Sequence, residues 1–171
     1  MKCPFDIHLR YSNINSNSPE IRPIIEGCSI KPHKLKHIFY LSPPNEWLNK
    51  DYPIFQITTP YVFFANKPID IIQRFPRLLI GKNYPFRLIE GKFPIDKWKR
   101  PLSWAVEWID TKKDIIIKRG MPWFDLNFNS TNIKDSFKLV KKKFTKSDEA
   151  ELLSTKDITN YIKGTNKLME R

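Results

Sequence analysis

The fourteen prolines of this 171-residue chain are the feature that most restricts how it can fold. Each proline removes a backbone hydrogen-bond donor and restricts the conformation of the residue before it. Long helices are therefore not expected before residue 130. Hydrophobic residues make up 40% of the chain and aromatic residues 13%, which is too much apolar surface for a fully disordered protein. We expect one folded domain, with or without an appended tail.

Short runs rich in Ile, Phe, Tyr and Val begin near residue 35 and predict strands. Each run is bounded by proline, glycine or asparagine, as strands are where turns separate them. The runs cover residues 35–40, 52–58, 61–64, 69–73 and 86–90. Residues 11–34 contain several asparagines, prolines and a glycine and follow no regular period, so we predict a loop region there.

An alternating pattern marks the clearest strand. Large apolar residues occupy every second position from residue 102 to residue 108, namely Leu102, Trp104, Val106 and Trp108. In a strand these side chains share one face, which should belong to the core.

Two more strands are predicted after this one. Residues 110–114 are interpreted as a hairpin loop that leads into a strand at residues 115–117. Phe124, Leu126 and Phe128 alternate in a last strand and place Trp123 on its opposite face. Several antiparallel strands with no helix between them predict a mainly β fold, either an antiparallel β-sandwich or a jelly-roll-like barrel.

The C-terminal residues carry a different pattern. Apolar residues at helical spacing, surrounded by lysines, predict a basic amphipathic helix that contains Ile133, Phe137, Val140 and Phe144. Ser147 begins a second helical segment, Thr155 could cap a third, and Gly164 is a candidate stop. We therefore divide the chain into a β domain with an N-terminal loop region at residues 1–130 and a basic helical segment at residues 131–171.

The net charge of +12 comes from 30 basic and 18 acidic residues that are distributed along the whole chain. Such a charge attracts acidic partners, but no block of five or six like charges marks a nucleic-acid tail, so support for nucleic acid is weak. Two cysteines, Cys3 and Cys28, are too few for a disulfide framework, and we expect thiols. No apolar run is long enough to cross a bilayer, so we expect a protein of the cytoplasm, with no membrane partner.

The order of features between residues 52 and 128 carries a resemblance. Glu90-Gly91 is followed by Asp96 and Trp98, by Pro101-Leu102 at the start of the alternating strand, by a charged turn and an Ile-rich strand, and by Pro122. In this order the stretch resembles an uncharacterised family of bacterial and phage proteins with a cupin-like or jelly-roll-like fold. The resemblance implies a cupin-like jelly roll in a bacterial or phage-infected cell, and it implies no catalytic residue.

Catalytic and metal-binding motifs are absent from the sequence. There is no phosphate-binding glycine loop, no nucleophile motif of the Gly-x-Ser-x-Gly type and no His-x-His pair. A metal site built from Glu26, His33 and His37 is a minor alternative, because Pro32 and the β-like residues after His37 argue against a helix there. We predict no metal and no cofactor, and whether the chain is an enzyme stays open.

Two further sets of residues were weighed for catalysis. Cys3 or Cys28 could act as a nucleophile with a histidine, although Cys3 lies next to the terminus. Glu90 and Asp96 are the better candidates for a carboxylate pair, but fixing the turn between them is the simpler role. The catalytic residues are therefore unknown.

Aromatic and basic residues give the candidate binding site. Trp104 and Trp108 are assigned to the core by their alternation, whereas two other tryptophans are free to line a pocket or an interface. The candidate binding residues are Trp98, Trp123, Arg74, Arg77, Arg87 and Arg100. For Trp123, packing under the C-terminal helix is the equal alternative.

Two classes of function fit these observations. The first is a non-catalytic binding or structural module of bacterial or phage origin that holds another macromolecule, with a protein partner or self-association favoured over nucleic acid. The second is a small cupin-like enzyme or ligand binder with an aromatic and basic pocket for an anionic metabolite.

Overall fold

The computed structural model describes residues 1–15, 18–97, 99–132 and 134–154. These residues form a mainly β structure of antiparallel sheets and short helices, which confirms the predicted fold class. The strands are β1 (Ile7–Asn15), β2 (Ser18–Pro23), β3 (Phe39–Leu41), β4 (Ile54–Val62), β5 (Ile69–Arg74), β6 (Phe86–Leu88), β7 (Gly91–Pro94), β8 (Pro101–Trp108), β9 (Ile115–Ile117) and β10 (Asp125–Ser130). The helices are α1 (Pro32–Ile38) and α2 (Lys146–Ser154), and 3₁₀ turns lie at Ile25–Gly27, Pro44–Glu46 and Arg77–Leu79.

The chain forms two compact units that alternate along the sequence. Unit 1 consists of Met1–Thr59, Gln73–Gly91 and Ser103–Leu126. Unit 2 consists of Pro60–Ile72, Lys92–Leu102 and the residues from Asn127 onward. The predicted division of the chain at residue 130 stays a prediction.

Unit 1 is built on two antiparallel sheets. One has the strand order β2-β1-β9 and the other the order β3-β4-β8-β6. Tyr11 of the first sheet meets Trp108 of the second edge to face, with ring centroids 5.8 Å apart. Phe55 of β4 lies 5.8 Å from Trp104 and 5.9 Å from Trp108. The aromatic core between facing sheets is consistent with the predicted β-sandwich.

The third sheet has the order β10-β5-β7 and contributes to unit 2. Its strands bring together three segments that are far apart in sequence. Ile95, which follows β7, donates its backbone N–H to the carbonyl of Ile69 at 2.9 Å. This sheet positions the candidate site described below.

The alternation predicted for β8 is confirmed. Leu102, Trp104, Val106 and Trp108 are all buried. Glu107, on the other face of the strand, is buried as well. It lies opposite Arg87 of β6 in the strand register and forms an ion pair with it. The paired arginine compensates part of the cost of removing this carboxylate from water.

The loop predicted at residues 11–34 is wrong. Residues 11–15 and 18–23 pair as the antiparallel β1–β2 hairpin, in which Tyr11 lies opposite Ile21, and 3₁₀ and α-helical turns follow at residues 25–27 and 32–34. Leu9 and Ile21 are buried, so one face of the hairpin contributes to the core despite its many polar residues. Burial of that face outweighs the weak strand preference of asparagine and proline.

The strand predicted at residues 35–40 is also wrong over most of its length. Residues 32–38 form α1, which has proline in its first turn, and only Phe39–Leu41 is a strand. Proline is favoured in the first helical turn because the N–H it lacks would have no partner there. Pro32 therefore starts a helix, contrary to the expectation that it would argue against one.

Two predicted connections differ from the structure. The loop at residues 110–114 does not join a hairpin, because β9 pairs with β1 of the other sheet. The predicted runs at 52–58 and 61–64 are largely one strand, since β4 continues through Pro60 to Val62. Local patterns predict that strands exist, but tertiary packing decides which strands pair.

Candidate functional site

The four predicted arginines are divided between the two units. Arg74, Arg77 and Arg87 belong to unit 1, whereas Arg100 belongs to unit 2. Arg87 pairs with Glu107, which raises the pKa of its guanidinium, and it lies over the ring of Tyr52 with its Cζ 5.8 Å from the ring centroid. Arg87 thus has a structural role, and its part in binding stays a prediction.

The two predicted tryptophans have different outcomes. Trp98 lies outside the described residues. Trp123 is 2% exposed, and Phe124 beside it is fully buried, so neither side chain lies at the surface. They precede β10, which begins at Asp125, and strand alternation does not apply to them. Trp123 packs edge to face against Phe5 at 5.4 Å, which makes it a core residue of unit 1.

The histidines occupy two places. His33 and His37 are exposed on α1, at the four-residue helical spacing that we argued against from sequence. His8 Nε2 lies 2.8 Å from Asp114 Oδ2, and Arg10 binds the same carboxylate. These hydrogen bonds, with that of Arg10 the stronger, lower the pKa of Asp114. Among the residues that the structure describes, no group of three or more His, Cys, Asp or Glu side chains could hold a metal ion.

The two candidate nucleophiles lie in different surroundings, and Cys28 Sγ accepts a hydrogen bond from the backbone N–H of His8 at 3.3 Å. Cys3 and Cys28 are both free thiols. Burial raises the pKa of Cys3 to about 11, so this thiol stays protonated at neutral pH and is a poor nucleophile. Glu90 accepts a hydrogen bond from the backbone N–H of Phe75 at 3.3 Å, which joins it to the end of β5, and its role in the turn before Asp96 stays a prediction.

A groove in unit 2 is the best candidate site in the described part of the chain. Its volume is about 390 Å³. Apolar side chains dominate its lining, with Phe63, Phe64, Ile69, Ile95, Phe128, Phe137 and Leu139 beside Lys67, Asp135 and Lys138. Phe63 and Phe128 meet edge to face at 6.0 Å. Lys67 Nζ is 3.9 Å from Asp135 Oδ1, a long and solvent-screened ion pair that leaves the ammonium accessible.

Two lysine ammonium groups lie near the ring of Phe64, which lines this groove. Lys99 Nζ and Lys142 Nζ lie 5.5 Å and 5.7 Å from the centroid of Phe64. Both distances are within the range of cation–π attraction. The groove therefore combines an apolar lining with positive charge, the combination expected from sequence, but its residues are not those predicted.

Beside the groove runs a chain segment that we call the basic segment, residues 134–146. It contains six lysines and one aspartate, so 13 residues carry +5 of the net charge of +12. Four of its apolar side chains are exposed: Phe137 by 46%, Leu139 by 68%, Val140 by 67% and Phe144 by 56%. Exposed apolar groups interleaved with cations are typical of interaction surfaces.

The described residues between 135 and 145 form neither helix nor strand, so the helix predicted around the stripe Phe137, Val140 and Phe144 is wrong. Lysines recur at four-residue spacing at 134, 138, 142 and 146. In a helix each such pair would place like charges side by side. No acidic residue between 136 and 146 offsets this repulsion. Ile133, the first member of the predicted stripe, lies outside the described residues.

Hydrogen bonds fix both ends of the basic segment. At its start, Ser130 Oγ donates to Asp135 Oδ2 at 2.5 Å. At its end, Asp148 accepts hydrogen bonds from the backbone N–H and hydroxyl of Thr145 at 2.9 and 2.7 Å. Its other carboxylate oxygen lies 2.7 Å from Lys142 Nζ. These bonds, led by that of Lys142, lower the pKa of Asp148 to about 2.

The Thr145–Asp148 pair is a helix-capping arrangement, because Asp148 also donates its N–H to Thr145 Oγ1 at 3.2 Å. It starts α2 at Lys146, so the helical segment predicted near Ser147 is confirmed. The sequence signal for this helix was Ser147 with the acidic residues Asp148 and Glu149, and the capping role of Thr145 was not predicted. The predictions for Thr155 and Gly164 lie outside the described residues.

Comparison with known proteins adds no relative. No family model, no curated protein and no solved structure matches the chain. The resemblance to a bacterial and phage family therefore stays a prediction. None of the helices in the described ranges is long and apolar enough to cross a bilayer.

Proposed function

We propose that this chain is a non-catalytic binding module that holds another macromolecule, an acidic protein, through the groove and the basic segment of unit 2. The observation that carries the proposal is the exposure of four large apolar side chains among lysines in the basic segment. Exposed apolar side chains gain free energy when a partner covers them. The lysines select for partners with acidic surfaces.

A protein partner suits this surface better than nucleic acid does. Two of the four exposed apolar side chains, Leu139 and Val140, are aliphatic and offer no aromatic face on which a base could stack. Self-association is the less favourable variant of the proposal, because a second copy would bring the same excess of five positive charges to the interface.

We also propose that the protein is of bacterial or phage origin, is located in the cytoplasm and has a cupin-like or jelly-roll-like fold. A bacterial or phage-infected cytoplasm would keep both cysteines reduced, and both are free thiols. The facing sheets of unit 1 are compatible with a jelly roll.

A binding assay with charge-reversal variants tests the proposal. The probe is a fluorescent peptide of about ten residues, a typical upper strand length, in which glutamates alternate with valines. We expect Lys138→Glu, Lys141→Glu and Lys143→Glu in one protein to weaken binding about tenfold or more by fluorescence anisotropy. Each lost pair contributes up to about 1 kcal/mol, and 1.4 kcal/mol is a factor of ten in affinity.

The matched control changes the net charge equally but far away in sequence. Lys31, Lys34 and Lys36 are exposed in and before α1 of unit 1, and their reversal to glutamate should leave peptide affinity within about twofold. An equal loss in both proteins would mean that only net charge matters, contrary to the proposal. A single-stranded oligonucleotide that displaces the peptide at equal concentration would point to nucleic acid, and a dimer in light scattering would point to self-association.

A second function is supported by the size of the groove. Small-molecule sites commonly measure roughly 300–1,000 Å³ and are mainly apolar with a few polar groups. The groove of about 390 Å³ with Lys67 and Lys138 fits an anionic metabolite. A melting-temperature increase with a dicarboxylate or nucleotide that Lys67→Met removes would favour this ligand-binding role.

A further inference from the structure

The central residues of the basic segment, 136–144, differ from its two anchored ends in their backbone hydrogen bonding. No hydrogen bond joins the backbone of residues 136–144 to any other residue that the structure describes. These nine residues include the four exposed apolar side chains. Backbone N–H and C=O groups are strong hydrogen-bonding groups that nearly always find partners when a protein surface is covered. A partner that covers these side chains therefore has to satisfy the backbone beside them.

We infer that residues 136–144 bind their partner by strand addition, in which this segment pairs with an extended acidic segment of the other protein as in a β-sheet. The inference rests on the proposed function and specifies its recognition mode. Strand addition pairs the N–H and C=O of every second residue, on the edge that faces the added strand, while side-chain pockets provide specificity.

The side chains fit an extended pairing with an acidic strand. In a strand Phe137 and Leu139 would share one face, and Lys138 and Val140 the other. Each face thus offers apolar contact, and lysines on both faces can meet carboxylates across the pair. An acidic strand also avoids the repulsion that a second copy of this segment would bring.

The anchored ends favour such a mode. The hydrogen bonds of Asp135 with Ser130 and of Asp148 with Thr145 hold the chain on either side of the unpaired residues. A segment held at both ends loses less conformational entropy on binding than a free tail does. The groove lies at one end, because Phe137 and Leu139 line it.

Proline substitution separates strand addition from side-chain docking. Val140→Pro is compared with Val140→Ala, and Lys141→Pro with Lys141→Ala, in the full chain with the same glutamate–valine peptide. Proline and alanine both remove the original side chain, but only proline removes the N–H. Adjacent residues of a strand direct their N–H groups to opposite edges. We expect one proline to weaken binding about tenfold relative to its alanine partner, and the other proline to differ from its alanine by no more than about threefold.

The fold itself should tolerate all four variants. No backbone bond to a described residue is lost at positions 140 and 141, so melting temperatures should stay within about 2 °C of the parent protein. Hydrogen exchange should show new protection within residues 136–144 when the peptide is bound.

The outcomes distinguish failure of strand addition from failure of the proposed function. If both prolines bind like their alanine partners, or both weaken binding equally, strand addition is overturned while peptide binding still supports the proposed function. If the parent protein does not bind the peptide, both proposals fail. A loss at one position alone, with protection of the segment, supports strand addition.

Discussion

Two tryptophans of β8 offer a matched test of what holds unit 1 together. Trp104 is 1% exposed and Trp108 is fully buried, and both contact the ring of Phe55. They differ in the hydrogen bonding of the indole N–H. The indole N–H of Trp108 donates to the carbonyls of Asp110 and Lys113 at 2.9 and 3.1 Å, whereas that of Trp104 has no hydrogen-bond partner among the described residues.

Substitution of tryptophan by phenylalanine should therefore lower the free energy of unfolding more at position 108 than at position 104. Either substitution removes part of a buried ring and leaves a cavity, at a cost of about 1–2 kcal/mol. Trp108→Phe also removes the donor that holds the loop after β8, which adds about 1 kcal/mol. Trp104→Phe removes an unsatisfied buried donor, which recovers about 1 kcal/mol. We expect about 2–3 kcal/mol of destabilisation for Trp108→Phe and about 0–1 kcal/mol for Trp104→Phe.

Urea unfolding followed by far-ultraviolet circular dichroism measures both values. Tryptophan fluorescence is unsuitable, because each variant lacks one of the reporting residues. The dependence of unfolding free energy on urea should stay the same in both variants, so that the midpoints report stability alone. Equal destabilisation, or a larger loss for Trp104→Phe, would refute the assignment of the Trp108 hydrogen bonds as a stabilising feature of unit 1.

Two further predictions concern single contacts. A Cβ at Gly27 would lie 2.5 Å from His8 Cβ and Nδ1, so Gly27→Ala should lower the free energy of unfolding by about 1–3 kcal/mol. Gly120 has open space around it but a φ of +85°, so Gly120→Ala should lower the free energy of unfolding by about 1 kcal/mol. Similar chemical-denaturation midpoints for the two variants would contradict this order. The pKa of Asp148 is about 2, below the usual 3.8, so its bonds should stabilise the start of α2 above about pH 4 and be lost as the pH falls toward 2. An NMR titration should show the side-chain signal of Lys142 following that transition, and Asp148→Asn should abolish it.

The sequence was sufficient for the fold class because one pattern was unambiguous. Leu102, Trp104, Val106 and Trp108 alternate along a strand that is buried on one face, and period-two patterns are decisive where one face is buried. The β1–β2 hairpin was missed because asparagine and proline are poor strand formers, and the burial that overrides their preference depends on a distant part of the chain. Helix α1 is not evident from the sequence, because proline breaks most helices but suits a first helical turn, where Pro32 lies.

The candidate site was less predictable than the fold. Its combination of aromatic and basic groups was expected, but the groove is lined by residues 63–67, 69, 95, 128 and 135–139, which only tertiary structure brings together. Trp123 shows the opposite error. Its alternation with Phe124 favoured a pocket or an interface, yet both side chains are buried and the strand begins only at Asp125. Periodicity assigns faces within an element, and it loses that power at the element's end.

The alternation of the two units along the chain has a consequence for how the protein is made. Each unit draws on three separate stretches, and the last stretch of unit 1 ends at Leu126. During synthesis, β4 therefore emerges long before β8, the strand beside which it will lie. Neither unit can be obtained by cutting the gene at one point, and the nascent chain must keep its early strands from aggregating until the residues up to Leu126 have left the ribosome.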